Sequence, residues 1–589
     1  MQPIVMNKDQ IADIFSEVSV LLELKGENPF KCRAYSSAAR TLQTFAGDLR
    51  ALVLEERLHE LPGIGDALQQ KIRELIETGR LAYLDDLKAS FPPKLTELFS
   101  VPGLGPKKIK LLYEKLGVDS LDALEKACAQ NLVATLPGMG AKTQGNILEG
   151  INQIRTYSSQ FRYADVLPHA ERLRDTLRQH PAVIRVEVAG SSRRCKEILK
   201  DLDLLVSSKQ PAEVMDFFTS LPIVKKIIGK GETKSSVLLE GGLQCDLRVV
   251  PDSKFAYALH HFTGSKEHNV ALRQRAISRG LKLSEWGLFR EGLPEDDPSA
   301  LVPCATEEEL FRKLGLDNIP PELRENMGEI QAAEEGTLPR LVEWTELRGT
   351  FHNHTSASDG KASLEEMAQA AADLGLDYFG IADHSKSSVQ ANGLDETRLL
   401  AQVAQIRSFN KSKRDIHLFA GSEVDILKDG SLDFSDDILS QLDYVVASVH
   451  QAMGMDEDSM TRRLIRTIEN PHVTMLGHLT GRLLLSREPY PVDHLKVIEA
   501  CARNGVWIEL NANPRRLDMD WRWWRAARDR GVLCSINPDA HRPEQIGYLR
   551  LGINIARKGW LRHKDVANTL SLSQVTALLA LKSPALSRA

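Results

Sequence analysis

Val188-Ala-Gly-Ser-Ser-Arg-Arg-Cys-Lys-Glu-Ile-Leu-Lys-Asp-Leu-Asp-Leu-Leu-Val206 reads as a short loop and basic segment running into a strand. Asp201 and Asp203 are two residues apart, so on a strand both carboxylates project from one face and converge on one ion or a pair of ions. Asp-x-Asp is common in exposed strands, but Leu202, Leu204, Leu205 and Val206 make this strand half-buried, where two acids need a reason. Mg²⁺ is typically held by one or two carboxylates plus substrate phosphates, and paired metals clamp the entering and leaving oxygens of a phosphoryl displacement. The Gly190-Ser191 turn can present backbone amides to those phosphates.

Around this stretch, residues 160 to 250 alternate between strand and helix. Ile184 to Val188, Asp201 to Val206, Ser236 to Leu239 and Gln244 to Val250 all look extended, which predicts a mixed α/β layer. The last of these carries Asp246, a third acid among apolar neighbours, and three carboxylates on adjoining strands make a two-metal platform. Further on, His260-His-Phe-Thr-Gly-Ser-Lys-Glu-His-Asn269 places Gly264, Ser265 and Asn269 before a basic helix, Leu272 to Arg279.

Upstream, residues 7 to 90 have apolar residues at helical spacing and predict an all-α region. Three internal repeats stand out: Leu61-Pro-Gly-Ile-Gly65, Val101-Pro-Gly-Leu-Gly105 and Leu136-Pro-Gly-Met-Gly140. Gly63 and Gly65, Gly103 and Gly105, and Gly138 and Gly140 can supply left-handed backbone and expose amides at a helix start. Such loops accept a phosphate without reading a base. Lys107, Lys108 and Lys142 follow two of the loops, where an ammonium adds attraction to phosphate. One copy would read as a plain helix-helix turn; three copies argue against that.

A chain of 589 residues is too long for one core and predicts several domains. The net charge of -5 gives no basic footprint, so any DNA contact has to be local. The seven cysteines include no Cys-x-x-Cys pair, which suggests neither a zinc ribbon nor a disulfide framework and fits a reducing cytoplasm. No segment has the apolar length of a membrane span, and the N-terminus lacks a signal-peptide pattern.

The C-terminal part, from about 346, holds ten of the sixteen histidines. Seven strand-like runs alternate with helical stretches, and all but one lead to a candidate ligand: His352 and His354 with Asp359, then His384, Glu423, His450, His478, and Asp539 with His541. The exception, Val506-Trp-Ile-Glu-Leu, ends at Asn511. Polar groups at the carboxyl ends of β/α strands describe the active face of a barrel. Imidazoles mixed with carboxylates suit two or three ions of Zn²⁺, Mn²⁺ or Fe²⁺, and point to hydrolysis of a phosphate ester. Trp521-Arg-Trp-Trp-Arg525 and Arg515-Arg516 either flank the mouth of this site, where stacking and charge suit single-stranded DNA, or belong to a barrel helix with its Trp residues turned inward.

The three glycine loops resemble helix-hairpin-helix motifs. Gly190-Ser191-x-Arg-Arg194, Asp201-x-Asp203, Gly231-Glu-Thr-Lys234, Asp246-x-Arg248 and Phe262-Thr-Gly-Ser265 resemble, in order and spacing, the family X DNA polymerases over residues 1 to about 317. His352-x-His354, Ala382-Asp-His384, Glu423, His450, His478 and Asp539-x-His541 resemble the PHP (polymerase and histidinol phosphatase) domain, with all nine ligand positions filled. The resemblance implies an all-α helix-hairpin-helix N-terminal region, an α/β (α+β) nucleotidyltransferase palm with a thumb, and a C-terminal distorted (β/α)7 barrel.

By the same resemblance, Asp201, Asp203 and Asp246 hold Mg²⁺ or Mn²⁺, and Asp246 assists the primer 3′-hydroxyl. Gly190, Ser191 and Arg194 hold the triphosphate, while Phe262, Gly264, Ser265 and Asn269 lie near the incoming sugar and base. The hairpin loops can carry a monovalent cation, and Lys71, with Lys31 and Tyr35, falls on lyase positions. The expected domains are 1–95 (lyase-like), 96–157 (fingers-like), 158–258 (palm), 259–317 (thumb), 346–575 (PHP) and a tail, 576–589. Residues 318–345 read as a linker whose acidic helix-like piece can equally pack on a neighbour.

Lys200 stands where the family usually has Gly, Gln244 where many members have Arg, and His261 where Tyr is common. The implied function is short-gap filling on gapped or primed DNA with deoxynucleoside triphosphates, plus Mn²⁺-dependent 3′-5′ exonuclease or 3′-end cleaning, by a cytoplasmic, nucleoid-associated monomer without membrane contact. The alternatives are a polymerase whose PHP domain is a small-molecule phosphatase, and a non-catalytic DNA-binding scaffold.

Overall fold

The change from helical to mixed periodicity near residue 159 divides the chain into two compact units, residues 1–159 and 160–589. The structure, a computed structural model, describes residue 6 and residues 8–45, 49–294, 296–297, 299–412 and 415–587. The expected starts at residues 1 and 7 and the end of the tail at 589 lie outside the described residues. Among the described residues no helix is long and apolar enough to cross a membrane, and all seven cysteines are buried and free.

The first unit is all-α, as its periodicity predicts. α1 (Lys8–Lys25) and α2 (Pro29–Thr44) pair around Ile11, Phe15, Leu22 and Ala38. The glycine loops introduce α3 (Asp66–Thr78), α4 (Pro106–Leu116) and α5 (Ala141–Tyr157). In each loop the apolar residue between the glycines, Ile64, Leu104 or Met139, is buried and pins the turn to the core.

The second unit contains a five-stranded sheet: β1 (Arg185–Val188), β2 (Asp201–Ser207), β3 (Val224–Lys230), β4 (Lys234–Leu239) and β5 (Gln244–Val250), in the order β1-β2-β5-β4-β3. Only β2 and β5 run parallel, and their register sets Asp203 beside Asp246. Strand β3 was not expected, because it is an edge strand with its side chains largely exposed and shows no alternation of burial. The segment read as a Gly190-Ser191 turn is α6 (Gly190–Arg193), a single helical turn entered through left-handed backbone at Gly190.

Helices α7 (Phe255–Thr263), α8 (Lys266–Ile277) and α9 (Glu307–Lys313) follow. Residues 318–345 pack rather than hang free: Leu323, Ala332, Ala333 and Leu341 join Phe311, Leu314 and Trp560 in one apolar cluster. Arg324 and Glu329 are buried with them.

Seven parallel strands then pair in sequence order: β6 (Gly349–Thr350), β7 (Tyr378–Ile381), β8 (His417–Asp425), β9 (Tyr444–Ser448), β10 (Met475–Leu476), β11 (Trp507–Asn511) and β12 (Cys534–Asn537). A bridge between Asn353 and Ala540 brings the two edges together, so the barrel is nearly closed. The strands are buried on both faces, as parallel strands in an α/β barrel are. Of the helices around it, α10 (Trp521–Asp529) and α11 (Leu549–Lys558) matter below. Trp521 and Trp524 are buried and Trp523 stacks on His494, so the tryptophan run is a packed helix and not a platform for bases.

Candidate active sites

Alternation along β2 places Asp201 and Asp203 on one face, and the parallel register with β5 adds Asp246 at about 4.8 Å spacing between strands. Burial, with the charges of Asp201 and Asp246, pushes the Asp203 carboxyl up to about 6. Burial and Asp246 likewise raise Asp201. Burial also acts against ionised Asp246, but hydrogen bonds from Lys234, Gln244 and Ser236 outweigh it and hold this carboxyl below its ordinary range. Lys234 Nζ lies 2.7 Å from one oxygen of Asp246, and Gln244 Nε2 donates to the other at 3.0 Å. Gln244 therefore supports the platform rather than spoiling it. Gly190 is required here on two counts: its backbone is left-handed, and a Cβ on it would collide with the Asp203 carboxylate. Three convergent carboxylates with one counter-lysine fit a pair of divalent cations.

The surrounding residues divide. Ser191 borders the same cleft as Asp201. Arg194 is turned to structural work: its Nε meets Glu325 at 2.9 Å and its Nη1 donates to the Thr263 carbonyl at 2.8 Å. Ser265 caps α8 by accepting from the His268 amide. Asn269 donates to the carbonyls of His261 and Gly264, while its Oδ1 is buried without a partner. Phe262 packs under the Arg248 guanidinium at 4.4 Å.

In the barrel, all nine expected side chains meet at the carboxyl ends of the strands. Eight of them form three overlapping groups, His354-Asp359-His384-His541, His352-His354-Asp539 and His384-Glu423-His450, each with donor atoms within 4.8 Å of one another, and His478 joins them through Glu423. Glu423 is the hub, 2.9 Å from His478 Nε2 and from His384 Nδ1, 3.2 Å from His450 Nε2 and 3.3 Å from His352 Nε2. His352 Nε2, His384 Nδ1 and Glu423 Oε2 are buried without a hydrogen-bond partner. Orphaned nitrogens beside ionised carboxylates are the donor set that a cluster of transition-metal ions satisfies. Burial disfavours charge on His450 and His541, yet Glu423 and Asp425 push the first up to about 10, and Asp359 and Asp539 the second up to about 9. In both cases the carboxylates draw positive charge to the site. His478 and Asp539 sit on left-handed backbone, a strained conformation of the kind that clusters at functional sites.

Sequence reasoning overlooked the residues that aim these ligands. Glu509 accepts from His352 Nδ1 at 2.7 Å and from the His478 amide at 2.6 Å, and Asp425 accepts from His450 Nδ1. Asp383 accepts from the Thr355 amide and hydroxyl and from Gln402, fixing the loop after His354. The signal was available: Glu509 is a charge inside an apolar run, and Asp383 stands within the Ala382-Asp-His384 motif. Arg516, noted for its charge, does reach the centre, with Nε 3.6 Å from Asp539 and a buried Nη1 that has no partner.

In the helical unit, Gly63, Gly103 and Gly138 are left-handed, and Gly65, Gly105 and Gly140 cap the next helix. A Cβ on any of the six would meet nothing within 4 Å, so the loops face open space. Lys107 and Lys142 are exposed, and Lys108 Nζ donates to the Gly103 carbonyl at 2.9 Å. Lys31, Tyr35 and Lys71 gather around Tyr83, which the sequence reading did not single out. The two ammonium groups lie 5.6 and 5.0 Å from the Tyr83 ring centroid, and the Tyr35 ring stacks on it at 6.1 Å.

A carboxylate platform on a mixed sheet defines the nucleotidyltransferase class, and a histidine-lined barrel mouth that of the metal-dependent phosphoesterases. Residues 6–81 match a helix-hairpin-helix domain, 95–153 a SAM-like helix-hairpin-helix tandem, 258–325 the DNA polymerase beta thumb and 350–513 the PHP domain. A Bacillus subtilis protein named DNA polymerase/3′-5′ exonuclease PolX is 37% identical over 576 residues, 98% of this chain and 99% of that one. The chain belongs to the family X DNA polymerases that carry a C-terminal PHP domain. DNA polymerase lambda of Rattus norvegicus is 24% identical over 340 residues, 53% of this chain and 56% of its own. A probable phosphatase of Thermoanaerobacter is 25% identical over 229 residues, 37% of this chain and 89% of its own.

Proposed function

We propose that the chain fills short gaps in DNA during repair with the β2/β5 centre and trims or cleans 3′ ends with the barrel centre. The observation that carries this reading is the pairing of Asp203 with Asp246 in a sheet separate from the nine-ligand cluster. We assign Mg²⁺ or Mn²⁺ to Asp201, Asp203 and Asp246, and two or three ions, Mn²⁺ ahead of Zn²⁺ or Fe²⁺, to the barrel. Divalent cations, when bound, neutralise phosphate charge and raise the acidity of the attacking oxygen. Asp246 stays a carboxylate beside Lys234 and receives the primer 3′-hydroxyl as a hydrogen-bond donor. Ser191, Gly190, Gly264 and Asn269 line the nucleotide, and Phe262 with Arg248 bounds it. In the barrel, Glu509 and Asp425 hold His352 and His450 in the tautomers that leave Nε2 facing inward. We assign the unpartnered Nη1 of Arg516, beside Asp539, to the scissile phosphate.

The hairpin loops hold the DNA backbone, with a monovalent cation where amides and carbonyls converge. Lys31, Tyr35 and Lys71 form the grip for a 5′ end, and Lys71 is the amine for abasic-sugar cleavage. The protein works as a monomer in the cytoplasm, held at the nucleoid through DNA. A DNA-binding scaffold would not need three half-buried acids on two adjoining strands. A small-molecule phosphatase would spare DNA ends.

Gapped DNA with a labelled primer separates these readings. Asp203→Asn is expected to lower extension in Mg²⁺ by about a thousandfold while leaving 3′ shortening in Mn²⁺, since an oxygen ligand set built on charge is lost. His352→Ala with His354→Ala is expected to do the reverse. Primer shortening that survives the double histidine variant would refute the exonuclease assignment.

A further inference from the structure

A pocket of ≈ 470 Å³ opens beside the carboxylate platform, with Ser191, Lys196, Lys200 and Asp201 on one side and Trp521 and Arg522 of the barrel helix α10 on the other. Its size is in the range that holds a small ligand. Apart from Asp201, which belongs to the carboxylate platform, its charge is one-sided once partners are assigned. Glu197 on its wall is engaged by Arg482 Nη2 at 2.9 Å and by Trp521 Nε1 at 3.1 Å. Glu325 is engaged by Arg194 at 2.9 Å and Lys558 at 2.6 Å. Lys196 and Lys200, in contrast, form no ion pair among the described residues. Arg522 gives Nε and Nη2 to Asp520 at 2.8 and 2.6 Å, which leaves Nη1 outside the pair. Asp520 is shared with Arg482 at 3.1 Å, so it does not cancel Arg522 alone.

The pocket also answers a local deficit. Arg194, the position that resemblance assigns to the triphosphate, is only 9% exposed and is committed to Glu325 and the Thr263 carbonyl. Lys200, where the family usually has Gly, puts an ammonium on the pocket wall next to Asp201. A guanidinium with a free Nη1 and two ammonium groups outside any ion pair match an anion with several oxygens and three or more charges.

We propose that this pocket binds condensed phosphate, namely the β,γ end of the incoming triphosphate and the pyrophosphate it becomes, and that Arg522 of the barrel is thereby a phosphate-binding residue of the polymerase centre. The inference rests on the polymerase reading of the Asp201-Asp203-Asp246 platform. In that reaction the bond from the 3′-oxygen to the α-phosphorus forms as the bond from that phosphorus to its bridging oxygen breaks. The hydroxyl proton leaves to solvent and the electron pair stays on the departing pyrophosphate. Lys196, Lys200 and Arg522 line the pocket that holds the β,γ-phosphates before and after that step. The barrel is then part of the nucleotide site, and not only a second enzyme on the same chain.

The test uses the full chain in Mg²⁺. Gap filling is followed against deoxynucleoside triphosphate concentration and against added inorganic pyrophosphate, and binding of inorganic triphosphate is measured by calorimetry. Arg522→Gln and Lys200→Gly are each expected to raise KM about fivefold or more and to weaken pyrophosphate inhibition similarly, with kcat within twofold and 3′ shortening in Mn²⁺ unchanged. Arg522→Lys keeps a charge and is expected to recover part of the loss, which a merely structural role would not show. The triphosphate binding event is expected to persist in His352→Ala with His354→Ala and to fall away in the combined Lys196→Ala, Lys200→Gly, Arg522→Gln variant. Wild-type KM and pyrophosphate sensitivity in these variants, or triphosphate binding unaltered by the combined change, would overturn the pocket. A chain that binds triphosphate here yet extends no primer would support the pocket and overturn only the polymerase reading.

Discussion

Glu509 shows how far a single side chain can decide a metal centre. It is fully buried, and it accepts from His352, from the His478 amide and from Asn511 and Asn537, so both of its oxygens are committed to aiming other groups. Carboxylates in this position typically change metal affinity or activity 10–100-fold when lost. Glu509→Gln is therefore expected to shift the Mn²⁺ requirement for 3′ shortening upward by about that factor, with primer extension in Mg²⁺ untouched. An unchanged Mn²⁺ titration would remove Glu509 from the orienting role. The nine expected ligands were legible because each follows the end of an apolar run, where barrel chemistry collects. Glu509 was not, because it sits inside its apolar run, two residues before the end of β11, and its partners are as far off as His352, 157 residues away.

At the scale of elements, α9 is tied to the palm by charge as well as by packing. Glu307, at its first turn, meets Arg193 Nη2 of α6 at 2.7 Å and also pairs with the fully buried Arg324. Burial disfavours the Glu307 carboxylate, but Arg324 and Arg193 outweigh it and hold the carboxyl far below the ordinary range. With the folded pKa depressed, the stabilisation is fully present above the unfolded value, about 4.3, and is lost as pH falls through the folded one. Glu307→Gln, which strands Arg324 in the interior, is expected to cost about 3–5 kcal/mol at pH 7. The gap between variant and wild type in urea unfolding should narrow toward pH 3.5, and a gap that stays constant would argue that the pair is not the source. Strands β2, β4 and β5 were legible from alternation, whereas residues 318–345 were left open between linker and packed segment. Their burial depends on Arg324 and Glu329, residues that composition assigns to solvent until a partner is known.

For the whole molecule, the two chemistries share one frame. Residues 160–589 form a single compact unit, and the contacts joining the barrel to the palm and to the 318–345 segment are specific: Arg482 to Glu197, Lys558 to Glu325 and the Arg194 carbonyl, and Asn554 to the Tyr163 hydroxyl at 3.1 Å. Arg194 apart, none lies in a motif, and Arg482 and Glu197 are 285 residues apart. Complementarity at that separation has no local pattern, so the sequence could show two active sites without showing that they are welded together. Buried pairs of this kind hold two bodies in one register, because separating them exposes apolar surface and leaves each charge without its partner. Palm, thumb and barrel are therefore expected to unfold in one calorimetric transition, distinct from that of residues 1–159. Arg482→Leu leaves Glu197 buried with only Trp521 as a donor, a loss of about 3–5 kcal/mol, and is expected to split that transition into a palm component and a barrel component. Separate palm and barrel transitions in the wild-type chain would show that the joint is too weak to couple the centres. A single transition that divides in the variant would mean that a 3′ end passes between two fixed sites, with the DNA moving and the enzyme standing still.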